Sequence, residues 1–130
     1  MGAAFEHQVA VRWRDTDALG HVNNAVFMTY LEEARDAFYM TVLGLDPIYV
    51  VVRVEADFQA EIRYEDRLVT VRIAVERVGT SSLTTQETIV TAAQEVAARA
   101  RIVTVRWDQE SRKPVPFSPA ERERMASLTA

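Results

Sequence analysis

The chain has 130 residues, 48% of them hydrophobic and 26% charged, with a formal net charge of −4 and no cysteine. That length suits one domain with a real core, and the balance is that of a folded globular chain rather than a disordered one. Interspersed charges with an acidic excess argue against nucleic acid or an anionic membrane surface as the main partner; the lack of cysteine excludes disulfides, thiolate catalysis and cysteine-ligated metal.

No apolar run approaches the length of a spanning helix, and the start, Met1 to Glu6, has neither a basic n-region nor an apolar h-region, so a cytoplasmic location is expected. Lys113 is the only lysine, which leaves any phosphate recognition to arginine.

Phe5, His7, Val9, Val11 and Trp13 alternate with polar or small residues, predicting a half-buried strand that runs straight into a loop at Asp15. His7 lies on the apolar phase and reads as a structural residue. The loop Asp15-Thr16-Asp17-Ala18-Leu19-Gly20-His21-Val22-Asn23-Asn24 crowds ionisable, amide and glycine residues ahead of a long helix pattern. In that pattern Phe27, Leu31, Ala34, Phe38 and Val42 share one face, while Thr29, Glu32, Glu33 and Asp36 share the other. Asn23 or Asn24 can cap its start and Gly44 can end it.

Beyond the turn at Asp46-Pro47, Val50, Val52, Val54, Ala56, Phe58, Ala60 and Ile62 alternate with Val51, Arg53, Glu55, Asp57, Gln59 and Glu61, predicting a long strand with one wet face. Val69, Val71, Ile73 and Val75 carry the next strand, Gly79-Thr80-Ser81 a hairpin, and Ser82 to Thr91 a threonine-rich strand. After a glycine-free turn at 91–95, Val96 to Trp107 is the last strand. Its apolar phase slips from even to odd positions, predicting a bulge or burial on both faces. Prolines extend 113–117, and Ser118-Pro119-Ala120-Glu121 opens a short helix to about Leu128 as a capping box. One strand, a buried helix and about four strands in tandem predict a single α+β domain over 1–130, with an antiparallel sheet covered by one helix.

The loop delivers its polar groups to a helix N-terminus, where free N–H groups and the dipole favour a negative or developing negative oxygen. Asp17 is either a reactive carboxylate there or an Asx-turn residue; Asp15 reads as a loop-shaping acceptor. His21 is a candidate general acid or, with Asp15 and Asp17, a metal ligand. Asn23 either caps the helix or orders a polar group at the site. Glu32, on the wet side, reads as solvated.

The run Arg14-Asp15-Thr16-Asp17-Ala18-Leu19-Gly20-His21-Val22-Asn23-Asn24, followed by Phe27, Tyr30, Leu31, Glu32 and Ala34-Arg35, resembles the signature of the hotdog-fold acyl-CoA thioesterases. Within them it is similar to the hydroxybenzoyl-CoA thioesterase branch. Arg63-Tyr64 through Asp66, Arg77-Val78-Gly79-Thr80-Ser81-Ser82-Leu83 and Arg112-Lys113-Pro114-Val115-Pro116 continue the resemblance, while Glu65 stands where the family often has glycine.

This resemblance implies a hotdog fold, an antiparallel sheet wrapped around one long central helix with a short C-terminal helix, and hydrolysis of an acyl-CoA thioester without metal or cofactor. It implies Asp17 as nucleophile or general base, the Asn24 N–H as oxyanion donor, and Asn23 and His21 beside them. Arg77, Ser81 and Ser82 would lie near the coenzyme A linker and nucleotide. Phe27, Tyr30 and Phe58 would line the acyl pocket, unless core packing claims them. It also implies a homodimer or a dimer of dimers. Two rivals are a non-catalytic acyl-thioester binding module and an enoyl-thioester hydratase or dehydratase. The latter calls for a His-Asp dyad on the helix, and this helix has no histidine.

Overall fold

A computed structural model describes residues 4–129; residues 1–3, part of the start on which the expected location rests, lie outside the described residues. Strand β1 (Phe5–Ala10) turns Phe5, His7 and Val9 inward, as the alternation predicts. It stops short of Trp13. Trp13–Asp15 is instead a 3-10 turn, closed by the Asp15 carboxylate accepting from the Arg12 N–H at 3.1 Å, and the Trp13 side chain is 74% exposed. A short acidic side chain has outcompeted the sheet ladder for a backbone donor.

Helix α1 (Asn24–Phe38) is capped by Asn23, whose side chain accepts from the Ala25 N–H. Phe27, Leu31, Ala34 and Phe38 are buried on the predicted face; burying each large side chain stabilises the fold by about 1.5–3 kcal/mol. The last predicted turn is π-helical, Tyr39–Leu43, ending at Gly44 with φ 66. An extra residue in that turn rotates the inward face by one position, so Leu43 is fully buried where the 3.6-residue period expects Val42.

Strands β2 (Tyr49–Phe58), β3 (Leu68–Val78), β4 (Ser82–Thr91) and β5 (Val96–Asp108) complete an antiparallel sheet in the order β1-β3-β4-β5-β2. The core forms between α1 and the inward residues of the central strands, among them Val71 and Ile73 of β3, Ile89 of β4 and Ile102 of β5. This is the hotdog architecture. The glycine-free turn before β5 places Gln94 at φ 65. Lys113–Pro114 forms β6 against the end of β5, and helix α2 (Pro119–Ala126) opens with the predicted reciprocal capping of Ser118 and Glu121. Arg124 of α2 donates to the Leu43 carbonyl at 2.7 Å, closing the π-turn. No helix among the described residues is long and apolar enough to cross a membrane.

Two strand expectations change. The bulge predicted for β5 is present, at Ala97 near its start rather than at the change of apolar phase: Ala98, Ala100, Ile102 and Thr104 all stay inward, with threonine filling the last site, while Val103 and Val105 face out. The irregularities lie at the start of β5, opposite Ile89 and Val90, and on β2 at Val52, between Val51 and Arg53. β2 also differs. It ends at Phe58, and because it pairs with β5 alone it is an edge strand, with Val52 57%, Val54 47% and Phe58 46% exposed. Both its faces are open, not one.

Candidate active site

The loop between β1 and α1 is a closed hairpin. Thr16 and Val22 form a bridge, the Asp17 N–H donates to the His21 carbonyl at 3.0 Å, and the Asn23 N–H to the Asp15 carbonyl at 3.1 Å. Gly20 turns its tip at φ 83, a conformation that favours glycine, and its N–H returns to the Asp17 carbonyl.

Asp17 stands at this tip. Its Oδ1 accepts from the Leu19 N–H at 2.9 Å, an Asx turn, and its Oδ2 accepts from Asn23 Nδ2 at 3.2 Å. His21 Nδ1 lies 4.0 Å from Oδ1 and 3.3 Å from the Val22 carbonyl. A carboxylate has about four acceptor positions, so capacity remains for a further donor. Asn23 therefore does both things weighed for it: Oδ1 caps α1 and Nδ2 holds Asp17. With the Ala25 and Val26 N–H groups taken by Asn23, the N–H of Asn24, at the first helical position, has no intramolecular acceptor among the described residues.

Beside this helix start opens a cleft of about 330 Å³ lined by His21, Val22, Asn24, Phe27, Phe58, Gln59, Ala60 and Glu61. Phe27 and Phe58 meet edge to face at 5.3 Å. The cleft thus gathers four of the sequence-predicted site residues. Asp17 and Asn23 are not in its wall and reach it through His21 and Asn24. Tyr30 is fully buried away from it, its hydroxyl donating to Asp15 Oδ2 at 2.7 Å. Gln59 and Glu61 are additions. Their signal was the polar phase of the β2 alternation, which reads as solvent-facing until the strand ends at Phe58.

Burial alone would raise the Asp15 carboxyl pKa, but hydrogen bonds from the Tyr30 hydroxyl and from the Arg12 backbone and guanidinium outweigh it and hold it below the usual carboxylate range. Burial, then the Asp15 carboxylate, push the Tyr30 phenol above its ordinary value. The loop thus carries an anion under its base at neutral pH.

Arg77, Ser81 and Ser82 lie at the β3–β4 hairpin, at the far end of the sheet. Phe58 pairs with Ala98, whereas Leu83, next to the hairpin, pairs with Thr104. Six residues of strand separate those rows, about 20 Å at the usual rise. One protomer does not bring the hairpin to its own cleft. Among the described residues no group of three or more His, Asp or Glu side chains is placed to hold a metal ion.

Residues 11–125 match the model of the thioesterase-like superfamily. The chain belongs to that superfamily. The match takes in the Asp17 loop, α1, and β2 through β5. Of solved structures, this thioesterase-like chain is 34% identical to a Thermus thermophilus thioesterase complexed with coenzyme A and zinc, covering 97% of this chain and 99% of that one at a TM-score of 0.83. A predicted thioesterase from Bacillus stearothermophilus is 28% identical, with 98% of each chain covered and a TM-score of 0.85. The Bacillus subtilis protein YsmA is 29% identical over 125 residues, 92% of this chain and 84% of that protein.

Proposed function

We propose that this thioesterase-like chain hydrolyses an acyl-CoA thioester to the free acid and coenzyme A. One observation carries the reading: Asn24, whose N–H has no intramolecular acceptor among the described residues, lines a cleft that also holds Phe27 and Phe58, and the Asp17 carboxylate is tied to the same helix start through Asn23. The acyl group would lie against Phe27 and Phe58, with its carbonyl oxygen on the Asn24 N–H, where the helix dipole favours the developing negative charge.

Asp17 has two possible tasks. As a base it takes a proton from water, whose oxygen attacks the carbonyl carbon while the C–S bond breaks and the thiolate leaves. As a nucleophile its own oxygen bonds to that carbon, the thiolate leaves, and water then cleaves the resulting anhydride. Single-turnover hydrolysis in oxygen-18 water separates them, because only the anhydride route labels Asp17.

Arg77, Ser81 and Ser82 fit the coenzyme A end of the substrate, arginine for phosphate and serine for the amide linker. Their distance from the cleft along the strands requires the hairpin of a second copy. The open edge of β2 offers the junction, since two copies paired there antiparallel bring opposite strand ends together. The working unit is then a homodimer at least.

A second reading has its own support. The Asx turn at Asp17 is what a purely loop-shaping aspartate makes, and the chain would then bind acyl thioesters without cleaving them. Thiol release from short, medium, long and aromatic acyl-CoAs, comparing wild type with a folded Asp17→Asn of equal oligomeric state, decides. Hydrolysis that drops by about 10²–10⁴-fold in the variant supports catalysis by Asp17; equal rates remove it from the mechanism. Tight binding with no turnover in the wild type selects the binding module.

A further inference from the structure

Asp15 is 6% exposed and Tyr30 is wholly buried, yet both are polar and neither lines the cleft. The Asp15 carboxylate accepts from the Tyr30 hydroxyl at 2.7 Å and from Arg12 Nε and N at 3.2 and 3.1 Å. Its own carbonyl accepts from the Asn23 N–H, across the base of the hairpin whose tip carries Asp17. Tyr30 projects from the second turn of α1, the same element whose first residue, Asn24, lines the cleft.

We propose that Asp15, clamped by Tyr30, is a positioning residue for the hydrolysis, holding the Asp17 loop in register with the N-terminus of α1. The proposal rests on the thioesterase reading above. The carboxylate and the oxyanion donor come from two different elements, a turn and a helix. Their separation is set by whatever joins them, and beside the packing of Val22 into the core only two side-chain hydrogen bonds among the described residues do so: Asn23 to Asp17 at the tip, and Tyr30 to Asp15 at the base. The first is half-open to water. The second is buried, where a charge-assisted hydrogen bond is strong and geometrically strict. A displacement of about 1 Å between reacting groups costs about 10²-fold in rate, so a fixed base has a kinetic value separate from its contribution to stability.

The test is Tyr30→Phe, which keeps the ring and its packing and removes only the hydroxyl. Steady-state kinetics and amide hydrogen exchange are measured on the same samples. The expected result is a drop in kcat of about 10–100-fold with KM within about twofold, since neither residue touches substrate. Exchange of the Leu19 and Asn23 amides should quicken at least about tenfold while Ile73 in the sheet keeps its protection.

Unchanged kcat with unchanged exchange in the loop overturns the proposal, as does a uniform loss of protection across sheet and helix, the sign of a merely structural tie. Asp15→Asn keeps one oxygen for the Tyr30 hydroxyl and should lose kcat by less; a large loss there beside a fully active Tyr30→Phe also overturns the clamp. If wild type hydrolyses no acyl-CoA, the thioesterase reading fails, and the exchange arm still decides whether Tyr30 holds the loop.

Discussion

The Arg35 guanidinium grips the Glu87 carboxylate through two parallel hydrogen bonds, Nε to Oε2 at 3.0 Å and Nη2 to Oε1 at 2.9 Å, between α1 and the inner face of β4. Thr85 Oγ1 adds a third bond to Oε2 at 2.7 Å, and Arg35 Nη1 approaches the Tyr49 hydroxyl, which itself donates to Asp36 at 2.6 Å. Burial alone would depress the Arg35 pKa; the Glu87 bonds outweigh it and hold the charge in place. Removing one partner strands the other in a dry core, so Glu87→Ala is expected to cost about 3–5 kcal/mol in urea unfolding, whereas replacing both, Arg35→Met with Glu87→Leu, recovers most of it.

The anion under the Asp17 loop has a pH signature. The folded pKa of Asp15 is depressed, so its contribution to stability is full above the unfolded value of about 3.9 and is lost as pH falls through the folded pKa. Tyr30 is raised; the stability linked to its protonated form is full below about 10 and is lost as pH climbs through its folded pKa. Acid unfolding followed by circular dichroism should therefore begin at higher pH in Tyr30→Phe than in wild type, because the carboxylate has lost a donor. The alkaline decline linked to this phenol should vanish in the same variant.

Asn23 serves two partners that substitution separates. Asn23→Ala removes the cap on Ala25 and should lower stability by about 1 kcal/mol, a few degrees of melting temperature. Asn23→Ser restores an oxygen for the cap but has no amide to donate to Asp17. Thermal stability should recover in the serine variant while kcat stays reduced. Recovery of both would limit Asn23 to its helix.

The open edge of β2 predicts its own chemistry. A lysine in place of Val54 puts a charge on an exposed apolar strand that pairs on one side only. Sedimentation should find wild type as a dimer or larger and Val54→Lys shifted to monomer, with hydrolysis falling in step, because each cleft then lacks the hairpin of its neighbour.

Most of the architecture was legible in the sequence, because strand alternation and helical spacing are local. β4 begins and ends where the Ser82 to Thr91 pattern puts it, and α2 starts at its capping box. The edge position of β2 was not legible: alternation reports which side chains share a face, never which strand is the neighbour, and the valines of β2 read as core until the order β1-β3-β4-β5-β2 leaves them uncovered. Arg35 and Glu87 escaped for a related reason. Each looks like a solvated charge in its own element, and only their meeting across 52 residues makes both affordable inside. At the site, the loop and helix cap were legible from Asp17, Asn23 and Asn24. Tyr30, which the resemblance put at the acyl pocket unless core packing claimed it, is packed in the core on Asp15, a partner that helical spacing does not reveal, and Gln59 and Glu61 enter the cleft only because β2 stops early.

The position of β2 also sets a problem in time. Its sole strand partner among the described residues is β5, and Val54 pairs with Ile102, 48 residues further along. At ordinary synthesis rates β2 leaves the ribosome a few seconds before the strand that will hold it, with two open edges and a row of valines. Arg53, Glu55 and Asp57 interrupt that row at every second position. Such interleaved charges act as gatekeepers, making a nascent strand a poor template for another nascent chain. Replacing Arg53, Glu55 and Asp57 together with apolar residues is therefore expected to raise aggregation during synthesis, read as the insoluble fraction after cell-free translation, more than it lowers the melting temperature of the folded protein.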